Sequence, residues 1–356
     1  MKSTLEKPRL NYHSHLPPKK GGFFYREQHK KALEKYFEVK VQNPDTLRFF
    51  NFIPILILSP LMILTRSFLR RSRDTVDYVE YDFAAYPLLF LPCSLLWRHV
   101  SWCKQIFRLH EDYRNVRFGG LLRLWDNFWL WLIADVIIVH TYEHAELLWA
   151  VNRRKGLVLL SGLDVTKHNH KPEQHTIIIP GFITRWKGHD VLIDALSEVR
   201  RKIPDVKLIV AGKTHDGMFF EELTKKIIWA GLQDNIELHT DYLDREDLQK
   251  LLRRASVAVL PYKRINFSAA LLDCIDWEIP TIVSAIPQFK ELAPGLPSVS
   301  VEDRHALARQ IIRLLTSKKE HNSVKKQMKA LKIRYDWKPI VKREAEIIYD
   351  ELGGGK

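Results

Sequence analysis

The chain has 356 residues, 46% of them hydrophobic, and a formal net charge of +14. That length exceeds one comfortable core and implies two domains, while the charge favours anionic partners: nucleotides, nucleic acid or an acidic membrane surface. Three cysteines, Cys93, Cys103 and Cys274, exclude a disulfide framework and a paired-cysteine metal site, which fits a reducing, cytoplasmic setting.

The opening residues read as polar and strand-like rather than as a basic-then-apolar leader. Arg9 to Leu16 is a short strand, followed by the turn Pro17-Pro18-Lys19-Lys20-Gly21-Gly22 and a helix from Phe23 to Tyr36. Glycines in such a turn let the backbone approach a ligand closely. Phe37 to Val41 is the next strand. Phe49 to Thr65 is the most apolar segment, and Arg66, Arg70, Arg71 and Arg73 follow it. It holds two prolines and falls short of the roughly 20 residues of a spanning helix. Apolar residues running into arginines fit a helix lying in a membrane interface; a buried helix of the first domain fits as well.

Val76 to Tyr81 and Lys104 to Leu109 are further strands, the second ending in His110-Glu111-Asp112. After a tryptophan-rich helix, Leu121 to Ile133, come the apolar strands Asp135 to His140 and Leu157 to Leu160, then Ser161-Gly162-Leu163-Asp164. The polar, nonperiodic residues 165–175 read as a linker. Their histidines His168, His170 and His175 read as solvated, since no carboxylate or cysteine cluster accompanies them as metal ligands. A second series of strands follows: Thr176 to Pro180, Lys207 to Ala211, Ile236 to Thr240, Val257 to Leu260 and Thr281 to Ser284. Helices fall between them, as in Asp190 to Lys202, and His305 to Thr316 and Lys338 to Leu352 are amphipathic. Strands alternating with helices predict an α/β fold of doubly wound parallel sheets.

The stretch Val257 to Ser284 is the richest in chemistry. A buried strand delivers the basic loop Pro261 to Phe267 onto the helix Ser268 to Trp277, with Ser268 as N-cap. Free N–H groups and the positive end of the helix dipole then point at one place, an anion site to which Lys263 and Arg264 add full charges. Asp273 lies one turn beyond Ala269, where a carboxylate suits the hydroxyls of a ribose or sugar. The plainer alternative is a strand–loop–helix unit with a solvated basic loop.

The order of these motifs resembles family 4 glycosyltransferases of the GT-B fold, most firmly from Ile177 to Leu292. Gly181-Phe182-Ile183-Thr184-Arg185-Trp186-Lys187-Gly188 is similar to that family's Gly-Arg-x-x-x-x-Lys-Gly loop. Lys187 matches the lysine on the donor diphosphate; Phe182 stands where arginine is usual, and Arg185 is the candidate substitute. Asp273 matches the second of the family's paired glutamates, the ribose ligand, while Ile265 occupies the first. The Lys263-Arg264 tip followed by Ser268 resembles a variant loop of the family. Asn266, Phe267, Ser268 and Ala269 complete that side of the donor site. Gly21-Gly22 matches a glycine pair facing the donor phosphates, His110 a histidine near the transferred sugar, and Ser161 to Asp164 the hinge. Tyr335-Asp336-Trp337 resembles the closing segment, whose last helix packs back on the first domain.

The resemblance implies two Rossmann-like domains, residues 1–164 and 165–337, with a cleft between them and helix 338–352 on the first. It implies retaining transfer from a UDP- or GDP-sugar to a glycan, lipid-linked or protein acceptor, with no cofactor and no essential metal. Catalysis would fall to His110, Lys187 and Arg264. Cysteine usage points separately to a cytoplasmic protein, with peripheral contact at the inner membrane face where residues 49–73 lie in the interface rather than in the core. A non-catalytic GT-B protein that binds nucleotide or glycan is the alternative, motivated by Phe182 and Ile265. Nucleic acid is not expected as a partner, because no recognition helix or RNA-binding aromatic motif stands out.

Overall fold

The computed structural model describes residues 7–14, 23–42, 75–81, 103–110, 119–214, 216–265 and 267–352. The chain divides into two compact units, Met1–Ser161 with Trp337–Lys356, and Gly162–Asp336. Each holds a six-stranded sheet whose strand pairs are all parallel.

In the first unit the strands are β1 (Arg9–Ser14), β2 (Glu38–Gln42), β3 (Thr75–Tyr81), β4 (Lys104–Leu109), β5 (Val136–Val139) and β6 (Gly156–Val158), in the order β2-β1-β3-β4-β5-β6. Helices α1 (Phe23–Leu33), α2 (Gly119–Ile133), α3 (Tyr142–Glu146) and α4 (Ala150–Arg153) come from the same stretch of chain. The last helix, α12 (Trp337–Glu351), comes from its far end. The apolar run of β5 is continuous because both faces are covered. On one face Leu10, Tyr12, Val76, Tyr78, Ile106 and Ile138 pack with Trp337, Val341, Ala345 and Ile348, the inward stripe of α12. On the other, Val79, Phe107, Ile137 and Val139 pack with Leu130 and Ile133 of α2.

In the second unit β7 (Thr176–Pro180), β8 (Lys207–Ala211), β9 (Ile236–His239), β10 (Val257–Leu260), β11 (Thr281–Ser284) and β12 (Ser298–Val299) lie in the order β12-β11-β10-β7-β8-β9. Helices α5 (His189–Lys202), α6 (Gly217–Trp229), α7 (Arg245–Arg254), α8 (Ala269–Asp276), α9 (Pro287–Leu292), α10 (Arg304–Thr316) and α11 (Lys318–Arg334) connect and flank them. Strands β7, β10 and β11 are buried along their whole length. The order of the sheet reverses between β7 and β10. In a doubly wound sheet, ligands bind outside the carboxyl ends of the strands at such a reversal, and here that place is framed by residues 181–188, 261–265 and 267–268.

Residues 165–175, expected as a solvated linker, run instead along the second unit. Thr166 and His168 reach the Asp276 carboxylate at 3.0 and 2.7 Å, and His168 stacks on Trp277 with ring centroids 4.2 Å apart. His170 donates to the Ala255 carbonyl at 2.8 Å, and His175 meets Asp205 at 2.9 Å. The three histidines thus serve three separate contacts. Residues 49–73, Gly21, Gly22 and Asn266 lie outside the described residues. Among those that are described, no helix is long and apolar enough to cross a membrane.

Candidate functional site

Two glycines shape the end of β7. Gly181 has φ +96°, and a Cβ there would stand 2.5 Å from Lys187 Nζ and 3.6 Å from Ala270 Cβ. The lysine amine, the backbone after β7 and the first turn of α8 therefore converge on one spot. Gly188 has φ +69°, and a Cβ would lie 2.1 Å from the Pro261 carbonyl oxygen. Only glycine tolerates both the conformation and the contact. The Lys263 N–H donates to the Trp186 carbonyl at 2.8 Å, so the loops after β7 and β10 are stitched backbone to backbone.

Lys187 closes the short 3-10 turn Arg185–Lys187 and is buried. Its Nζ lies 5.4 Å from the Trp186 ring and 5.3 Å from the Tyr262 ring. Burial pushes the amine down to about 8, against the pull of the Asp273 carboxylate. His189, one residue past Gly188, is driven down to about 3 by burial and by Lys187, and is neutral. Ser268 caps α8 as expected, its Oγ accepting from the Leu271 N–H at 3.0 Å. Buried cation and capped helix start are thus brought together, an arrangement that can receive an anion, with electrostatic contacts stronger than at the surface.

Three other expected ligands have protein partners. Asp273 is buried and bonded by Arg245, the first residue of α7, whose Nη2 also lies 3.7 Å from Asp276. Arg185 is exposed and forks onto Glu222 at 2.7 and 2.8 Å, with its guanidinium 4.9 Å from the Phe219 ring. Glu222 on α6 thus draws Arg185, the candidate substitute for the missing arginine, into a surface ion pair. Lys263 Nζ meets Glu302 at 2.7 Å. Arg264 and Phe267 are half-buried, and Ile265 is buried as an apolar core residue. Sequence reasoning did not single out Arg245, because its partner is 28 residues away across a strand and a loop.

In the first unit His110 sits at the carboxyl end of β4 within a buried polar network. Its Nε2 is bonded to Glu80 of β3, and its Nδ1 lies 3.0 Å from His140 Nε2. Glu80 also accepts from Tyr12 Oη at 2.8 Å and from His29 Nδ1 at 2.7 Å. His29 Nε2 meets Glu344 of α12 at 2.8 Å, and Glu344 accepts from Arg108 Nη1 at 2.8 Å and from Tyr78. Burial opposes the charge on both carboxyls, but the facing cations outweigh it. His110 and His29 hold Glu80 well below the usual carboxylate range; His29 and Arg108 bring Glu344 to about 2. For His29 burial is likewise overcome, by Glu344, and its pKa is raised; with a carboxylate on each ring nitrogen it donates from both. Burial, then the neighbouring His110 and Arg108, push His140 well below its ordinary value. Both nitrogens of His110 are thus engaged within its own unit. The sequence signal for this network was a pair of charged residues, Glu80 and Arg108, aligned on adjacent buried strands.

Comparison with known proteins places the second unit. Residues 163–331 match the family model "Glycosyl transferases group 1". The chain is 27% identical over 203 residues to a GDP-mannose:cellobiosyl-diphosphopolyprenol alpha-mannosyltransferase of Xanthomonas oryzae, covering 55% of this chain and 53% of that protein. It is 24% identical over 306 residues to a phosphatidylinositol N-acetylglucosaminyltransferase polypeptide of Arabidopsis thaliana, covering 81% of this chain and 64% of that one. The matches thus span about half to two thirds of these relatives' own length. Among solved structures, HepE of Anabaena, crystallised with UDP and glucose, superposes with a TM-score of 0.76 at 14% identity, covering 97% of this chain and 100% of that chain. The fold is accordingly of the GT-B class, with two Rossmann-like sheets.

Proposed function

We propose, from the premise that Gly162–Asp336 is a group 1 glycosyl transferase domain, that the protein transfers a sugar from a nucleotide-sugar donor as a family 4 enzyme, with retention and without an essential metal. The observation that carries this reading is the meeting of Lys187 Nζ, the Gly181 backbone and the first turn of α8 at the reversal of the second sheet. In the reaction the bond between the anomeric carbon and a phosphate oxygen breaks. Negative charge grows on the departing diphosphate while the sugar becomes oxocarbenium-like. Lys187 and the N–H groups beside Ser268 neutralise that charge, with Arg264 added from the loop, and take the place of a divalent ion. Asp273, oriented by Arg245, is assigned to the ribose. His110, backed by Glu80, is assigned to the transferred sugar or acceptor; a hydroxyl bonding its Nδ1 takes over the contact now made by His140. Lipid-linked acceptors are favoured over protein because both named relatives carry a lipid in their names.

The pairing of Arg185 with Glu222 and of Lys263 with Glu302 favours a second reading, a GT-B protein that binds nucleotide without turnover. A thermal-shift panel of UDP, GDP, ADP and their sugars, followed by turnover assays on lipid-linked glycans, separates the two. The transferase reading expects one nucleotide series to raise the midpoint and its sugar to be consumed. Binding with no consumption across acceptors supports the second reading, and no shift with any nucleotide overturns both.

A further inference from the structure

Helix α2 is built the wrong way round for a helix on a water-facing surface. Its polar residues Asp126 and Asn127 are buried, as are Leu130 and Ile133, whereas Leu124, Trp125, Phe128 and Trp131 are 49, 38, 41 and 44% exposed. At helical spacing those four make one outward stripe. The inward polar residues lock it in place. Asn127 accepts from the Trp149 N–H at 2.7 Å and from Asn152 Nδ2 at 3.0 Å, while its own amide donates to the Arg123 carbonyl at 3.0 Å. Rotating the helix to bury its rings would break these bonds, so the rings stay outside. They pack on each other instead, with Trp125 against Trp129 at 5.6 Å and Phe128 against Trp129 at 5.3 Å. The same bonds hold α4 beside α2, where Trp149 and Val151 are exposed as well.

Charge selects the occupant. The exposed charges on α2 and α4 are Arg123 and Arg153, and exposed Arg154 follows them. Indole rings beside arginines suit the headgroup level of a bilayer, where the ring is half in hydrocarbon and the guanidinium meets phosphate. We propose that the outward face of α2, extended by α4, docks the protein on an anionic phospholipid surface. This surface lies outside residues 49–73 and uses none of the residues assigned to the donor. It is distinct in kind from a spanning segment: the helix lies along the interface with its apolar face inserted.

The test is flotation of the full chain with vesicles of phosphatidylcholine alone and of phosphatidylcholine mixed with phosphatidylglycerol. Binding is expected to the anionic vesicles and to weaken as salt is raised. The variant W125E/F128E/W131E is expected to lose at least about tenfold in binding, and R153E/R154E to lose binding to anionic vesicles with little change on neutral ones. W125A/W131A, which adds no charge, guards against misfolding, and an unchanged melting midpoint in each variant shows that the fold is kept. No vesicle binding by the unaltered chain overturns the proposal. Binding left unchanged by the ring substitutions also overturns it and turns attention to Phe49–Arg73. A lipid-free dimer that the same substitutions dissolve, without vesicle binding, assigns the face to a second copy of the chain and overturns it too.

Discussion

At Lys187 the rings of Trp186 and Tyr262 take the place of water around an ammonium. The free amine titrates near 8 rather than at 10.5. Below about pH 8 the fold therefore bears the cost of the buried charge, and it is relieved as pH rises from there toward 10.5. A diphosphate has the opposite preference, because it is attracted to the ammonium. Affinity for a nucleoside diphosphate should be level below that pH and fall above it, by up to about tenfold per pH unit. Calorimetry on either side of pH 8 tests this, with Lys187→Met expected to flatten the profile and to cost about 10²–10³ in transfer rate. A flat profile in the unaltered protein would remove the lysine from the phosphate site. Gly188→Ala should cost roughly 1–3 kcal/mol of stability and weaken nucleotide binding as well, since the added methyl meets the Pro261 carbonyl and parts the two loops. Urea denaturation measures the first effect, nucleotide titration the second.

The elements of the second unit were largely legible, and the reason is burial. Strands covered on both faces read as unbroken apolar runs, and Val257–Leu260 and Thr281–Ser284 fall where the sequence puts them. The start of α8 was legible from Ser268, a short polar side chain ahead of an apolar helix. Ser268→Ala should cost about 1 kcal/mol, read as a lower urea midpoint, by leaving the Leu271 N–H without its acceptor. The partners of charged groups were not legible, because they are fixed by which strands become neighbours. Arg185 lies near Lys187 in sequence, yet Glu222 draws it away; Arg245 lies far from Asp273 in sequence, yet bonds it. Helix α11 was missed for a related reason: its inward residues Val324, Met328 and Leu331 are sparse among lysines.

On the scale of the molecule, the buried charges of the first unit depend on α12. Removing Glu344 strips Arg108 of its bonded carboxylate and leaves His29 with Glu80 alone, and breaking such a buried set costs about 3–5 kcal/mol. Glu344→Ala should lower the urea midpoint accordingly. The carboxyl is held at about 2 against an ordinary 4.5, so its contribution is full above pH 4.5 and is lost as pH falls toward 2. His29 works the other way: its raised pKa adds stability that is full below 6.5 and lost as pH rises through its folded value. The unaltered protein should therefore lose stability at both ends of the pH range, and Glu344→Ala should blunt both losses.

Helix α12 is also translated after every other described element, and its Glu344 bonds His29 across 315 positions of chain. The nascent first unit must wait, its Arg108 guanidinium and one nitrogen of His29 without their Glu344 partner, while the whole of Gly162–Asp336 is translated and able to fold. A fragment of residues 162–336 made alone should melt cooperatively, whereas a fragment of residues 1–161 should stay open to protease until a peptide of residues 337–352 is supplied in trans.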